Sequence, residues 1–214
     1  MQPDTPSSTV SPRSLVLIAM IACAIGARLI NWYVPGVLPQ NFTPVEATAL
    51  FGGAYFADRR LAFIVPLAAM LLADLLISLS LSLQLVSDWL HTLPAVYLCI
   101  ALTVFGGFGL HNKVSPLRVG AYGFASAVLF FIVTNFAAWL AAHPELLFND
   151  QFAAVRASYP SAEDACVKGL AACYIAGIPF FKGTLYGTLF WSAALFGGFE
   201  LMRRRWPSLQ PAHA

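Results

Sequence analysis

Charged residues are scarce in this chain: 12 Lys and Arg and 10 Asp and Glu among 214, or 10%. A water-soluble domain carries roughly 25%, so too little polar surface is present to face water on all sides. The net charge of +2, with no basic stripe, leaves no footprint for nucleic acid. Cysteine is limited to four residues, and none has zinc-site spacing. Cys23 and Cys99 fall in apolar runs and read as small apolar side chains. Cys166 and Cys173, seven apart on one expected helix, would lie ~10 Å apart, too far to bridge. The His-Glu-x-x-His, Gly-x-Ser-x-Gly and P-loop patterns are missing, which removes the usual metalloprotease, serine-hydrolase and ATPase signatures. Lys182-Gly183-Thr184 matches only the end of a P-loop, without its glycines. The chain does not read as an enzyme, and no metal or cofactor is expected.

Apolar residues, by contrast, make up 59% of the chain, and the mean hydropathy is +0.73. They are arranged in long runs, and a spanning helix needs about 20 mostly apolar residues. The runs predict an all-α polytopic membrane protein with six transmembrane helices: Ser14 to Tyr33, Pro44 to Phe56, Leu61 to about Leu83, Pro94 to Leu110, Leu117 to Ala142, and Lys182 to Met202. Thr43-Pro44-Val45-Glu46 predicts a capping box at the start of the second. A half-buried helix over Ser161 to Ile178, interrupted at Pro179, is expected to lead into the sixth.

The expected domain layout is a cytoplasmic tail over 1–13, a membrane domain over 14–202 with an outer loop at 143–168, and a second tail over 203–214. Arg13, Arg59, Arg60, Lys113, Arg118 and Arg203 to Arg205 place eight cations at one face, against Arg156 and Lys168 at the other. By the positive-inside rule both termini are cytoplasmic.

A charge inside a span costs at least ~2.5 kcal/mol on insertion scales, so it commonly marks a pathway or site. Arg28, Glu46 and Asp74 fall within spans, and Lys182 lies near an outer boundary. Counted by helix rise, these four and Asn135 all lie in the outer half of the membrane. Two acids and two bases there can neutralise one another around a polar recess open to the outside. The plainer readings are a capping role for Glu46, a snorkelling Arg28 and a structural ion pair between Asp74 and Arg28 or Lys182. Trp32, Tyr33, Phe42, Trp89, Trp139, Tyr159 and Tyr174 lie near the outer ends, as an interfacial belt would. Of the four histidines, only His91 is placed to meet a ligand. Ala22 with Gly26, and Gly183 with Gly187, have the spacing that lets helices approach closely.

The strings Asn41-Phe42-Thr43-Pro44-Val45-Glu46, Val65-Pro66-Leu67 with Met70 and Asp74, Thr134-Asn135-Phe136 and Ile178-Pro179-Phe180-Phe181 resemble an uncharacterised family of small bacterial membrane proteins. In size and layout the chain is similar to the S-components of energy-coupling-factor vitamin transporters, nearest to their solitary cobalamin-transporting members. That resemblance implies a six-helix bundle taking up a vitamin-like small molecule, cobalamin-type as a first guess, from the periplasmic side. It also implies a separate energy-coupling ATPase as a partner. Those members carry a cobalt-binding cysteine near the end of the third helix, where this sequence has Ser78, Ser80 and Ser82. The expected substrate-binding residues are Arg28, Glu46, Asp74, Asn135, Lys182, Trp89 and His91. Loops at Trp89 to Thr92 and Phe148 to Tyr159 would close over them. The alternatives are a membrane-embedded enzyme using Asp74 or Glu46, and a non-transporting envelope scaffold.

Overall fold

A computed structural model describes residues 11–34, 36–80, 83–143 and 163–209, of which 83–91, 163 and 164 are described by backbone alone. Among the described residues the chain is helical throughout, with no strand. The helices are α1 (Pro12–Tyr33), α2 (Val45–Tyr55), α3 (Arg59–Ser78), α4 (Leu83–Gly107), α5 (Pro116–Ala141), α6 (Glu163–Val167) and α7 (Leu170–Arg205). Four stretches of the described residues are long and apolar enough to cross a membrane: Pro12–Tyr33, Arg59–Ser78, Thr92–Leu110 and Pro116–Ala141.

Three helices start where their sequences offer a capping oxygen. The side chain of Ser11 accepts from the Ser14 N–H, that of Asp58 from Arg60 and that of Ser115 from Arg118. Each satisfies a donor that the first helical turn leaves without a partner. The capping box expected at α2 does not form. Pro44 itself occupies the cap position and no side chain closes it. Glu46 is thereby the second helical residue, one position short of the third-residue spacing the box requires.

Helix α2 occupies the centre. All eleven of its residues are buried, and it packs against α1, α3, α4, α5 and α7. Its length of about 17 Å is short of a ~30 Å hydrocarbon layer. Close approach makes this central position feasible. A Cβ at Gly53 would strike the Val104 carbonyl of α4, and one at Gly107 would lie 2.9 Å from the Gly53 Cα. Around the end of α2, Phe51, Tyr55, Phe196 and Phe199 meet edge-on or tilted, with centroids 4.6–5.8 Å apart.

Several expected boundaries move. Helix α3 stops at Ser78, and the polar stretch before Pro94, read as loop, is the first part of α4. Pro179 does not break the chain: α7 runs 36 residues through it. Packed neighbours can hold a helix together across a proline. The Gly183–Gly187 notch receives the turn before α2 instead of a helix, since Cβ atoms there would meet the backbone of Gln40 and of Phe42–Thr43. Ala22 is exposed and Gly26 faces open space, so the first small pair packs against nothing described.

The expectation that Cys166 and Cys173 cannot bridge is overturned. They form a disulfide, with their Cα atoms 4.1 Å apart. The ~10 Å separation assumed one continuous helix. Here the helix breaks at Gly169, whose φ of +133° suits a residue without Cβ, and α6 folds back against α7.

Candidate functional site: an arginine-lined recess at one end of the bundle

The C-terminal ends of α1 and α3 meet at one end of the bundle. Trp32 Nε1 donates to Ser80 Oγ at 3.0 Å, and the Tyr33 hydroxyl donates to the Leu76 carbonyl at 2.7 Å. Arg28, one turn or so deeper, donates through Nη2 to Asp74 Oδ1 at 2.8 Å. The Asp74 side chain is only 3% exposed and that of Arg28 19%. Tyr97 of α4 donates its hydroxyl to Asp74 Oδ2 at 2.9 Å. Both carboxylate oxygens are therefore occupied, as a buried anion requires.

Arg28 also lines a cavity of about 330 Å³. Its other polar walls are Asn41 and Thr43 from the segment before α2, Thr92 of α4, Thr134 of α5 and Thr184 of α7. Met70, Val96 and Phe130 supply apolar wall. The volume lies at the small end of ligand pockets, and one charge among hydroxyls and apolar side chains is their usual composition. Arg28 Nε is buried without a hydrogen-bond partner. A guanidinium held by one nitrogen with another unsatisfied can take an oxyanion or carbonyl oxygen.

Of the other expected site residues, Asp74, Glu46, Asn135 and Lys182 do not line this cavity. Asp74 stands behind Arg28, turned to its two partners. Glu46, 2% exposed, faces α7, where Thr188 Oγ1 donates to Oε2 at 3.3 Å while Oε1 has no partner. Asn135 donates to the Phe131 carbonyl of its own helix and packs on Gly177. Lys182 is exposed. The expected single cluster of two acids, two bases and Asn135 is thus corrected to one ion pair, one buried acid with a threonine, and two groups outside, Asn135 and Lys182. Rotation about the helix axis explains the split: successive residues lie about 100° apart, so Thr134 and Thr184 face the cavity while Asn135 and Lys182 do not. The Trp89 and His91 side chains and the Phe148 to Tyr159 loop lie outside the described residues.

Sequence reasoning missed Tyr97 and the threonines. Hydroxyls in apolar runs carry no signal until neighbouring helices set their direction. It also missed Glu200 in the last helix, although Arg203 three residues on is a visible partner. Among the described residues, His, Cys, Asp and Glu do not gather in threes.

Membrane-length apolar helices around an arginine-lined recess define the class: a helical protein with helices long and apolar enough to cross a membrane and a polar cavity between them. Residues 8–209 match a family of unknown function, DUF6580, and the chain belongs to that family. No curated protein and no solved structure matches it.

Proposed function

We propose that this protein is a substrate-binding membrane protein mediating uptake of a vitamin-like small molecule that carries an acidic or carbonyl oxygen. The observation that carries the reading is the unsatisfied, buried Arg28 Nε beside a polar cavity of about 330 Å³. In a low-dielectric layer such a donor is costly unless a ligand or water meets it. Asp74 and Tyr97 hold the guanidinium in place, so a ligand oxygen finds it already oriented. The cavity suits a ligand much smaller than a corrinoid, and Ser78, Ser80 and Ser82 supply no thiolate for cobalt. A compact vitamin fits this reading better than cobalamin.

The proposal includes six crossings, with α2 as a short, fully enclosed one and both termini in the bacterial cytoplasm. Two independent features favour that orientation. Arg13, Arg59, Arg60 and Arg203 to Arg205 lie at helix ends opposite the recess, as the positive-inside rule asks. The Cys166–Cys173 disulfide joins elements near the recess end, and disulfides persist in oxidising compartments such as the periplasm. Energy would come from a separate ATPase complex docking on the cytoplasmic face. An enzyme using Asp74 or Glu46 has less support, since neither carboxylate lines the cavity.

Native mass spectrometry of the protein purified in mild detergent tests the reading. Wild type is expected to retain a small acidic or carbonyl-bearing molecule, and Arg28→Lys to lose it, because the ammonium keeps the charge but not the fork geometry. Retention unchanged in Arg28→Lys, or wild type that neither retains nor takes up any such molecule, would overturn it.

A further inference from the structure

A second pocket lies at the opposite end of the bundle. Its volume is about 200 Å³, and Arg13, Tyr55, His111, Glu200 and Arg203 line it. The carbonyls that end α2 need partners because they are buried. Arg13 Nη2 donates to the Tyr55 carbonyl at 3.0 Å, and His111 Nδ1 lies 3.2 Å from the Ala54 carbonyl. Glu200 is the pocket's carboxylate. Its Oε1 accepts from the Tyr55 hydroxyl and its Oε2 from Arg203, both at 2.6 Å.

The charge count then leaves a remainder. Glu200 neutralises Arg203, while no described carboxylate lies within ion-pair distance of Arg13. Arg13 is half-buried, 5.8 Å from the Phe199 ring centre, and its Nε is buried with no hydrogen-bond partner. Two guanidiniums and one saturated carboxylate thus surround a space large enough for an oxyanion with water. We propose that this inner pocket binds a phosphate oxyanion, supplied by an anionic lipid headgroup or by phosphate in solution. Guanidinium forks match phosphate geometry, and basic pockets between helices on the cytoplasmic side commonly hold lipid headgroups. This site is separate from the outer recess and does not depend on what the recess binds.

The test uses the full chain, delipidated in mild detergent, with thermal unfolding and native mass spectrometry read in two arms. One arm adds phosphatidylglycerol against phosphatidylcholine. The other adds inorganic phosphate against chloride at matched ionic strength. The expected result is stabilisation and a bound adduct in at least one arm: with lipid alone the headgroup is the source, and with phosphate as well the oxyanion is enough. Arg203→Gln, at a partly exposed position, is expected to weaken that binding about tenfold, and Arg13→Gln at least as much if it folds. Arg60→Gln, on the same face but outside the pocket, should leave it unchanged. No stabilisation in either arm, or equal weakening by Arg60→Gln and Arg203→Gln, would overturn the proposal.

Discussion

The two ends of the bundle are built from the same parts in different proportions. Each has an arginine of α1 and an acid of another helix that accepts from a tyrosine hydroxyl: Arg28, Asp74 and Tyr97 at the recess end, and Arg13, Glu200 and Tyr55 at the opposite end, where Arg13 binds the Tyr55 carbonyl instead of the acid. At the outer end one guanidinium meets one carboxylate, and the carboxylate is 3% exposed. At the opposite end the acid pairs with Arg203, is 24% exposed, and leaves Arg13 without a carboxylate. The comparison separates two uses of one device. A balanced, enclosed pair holds helices and orients a donor, whereas an unbalanced, half-open one leaves charge for something else to meet.

The largest effect should come from unbalancing the enclosed end. Asp74→Ala leaves Arg28 with no acid and is expected to destabilise by about 4 kcal/mol, whereas Glu200→Gln at the more exposed pair should cost only about 1 kcal/mol. Equilibrium unfolding in mixed detergent measures both. Equal losses would erase the distinction between the ends.

Between the ends, the buried α2 ties both clusters to one rod. Gly53→Ala would push a methyl into the Val104 carbonyl, and a loss of about 3 kcal/mol is expected, with both ends loosened together. Hydrogen exchange that rises at one end alone would show them to be independent. The disulfide belongs to the outer end only. Cys166→Ser should cost about 2 kcal/mol on loop-closure arguments and leave inner-pocket phosphate binding untouched. A change in that binding would mean that the two ends communicate.

The smallest effects sharpen the parallel. Tyr97→Phe and Tyr55→Phe each remove one hydroxyl from a carboxylate, and each should cost about 1 kcal/mol. A difference between them of the same size again would show that the hydroxyls serve different roles.

Much of the outer end was legible in advance. Arg28 and Asp74 stood out because charge in an apolar run is expensive, and their pairing was among the readings left open. Glu46 was also visible as a charge, but its partner was not: Thr188 is 142 residues away, and nothing local joins the two. The disulfide was misjudged for a local reason. Along an unbroken helix Cys166 and Cys173 stand ~10 Å apart, but the helix breaks at Gly169. The pocket at the opposite end is not legible in the sequence, where its arginines signal topology alone.

From its own residues the chain determined that it is helical and apolar, how its cations divide between two faces, and where charge interrupts the apolar runs. These properties follow from composition and spacing along one strand of chain. Only the tertiary structure decided which charges meet, which face of each helix turns inward, and that α2, short and carrying Glu46, is the enclosed centre. The physical reason is that apolar surface satisfies lipid and protein core alike, so hydrophobicity does not distinguish them. Side-chain direction and close packing do, and those exist only once the helices are assembled.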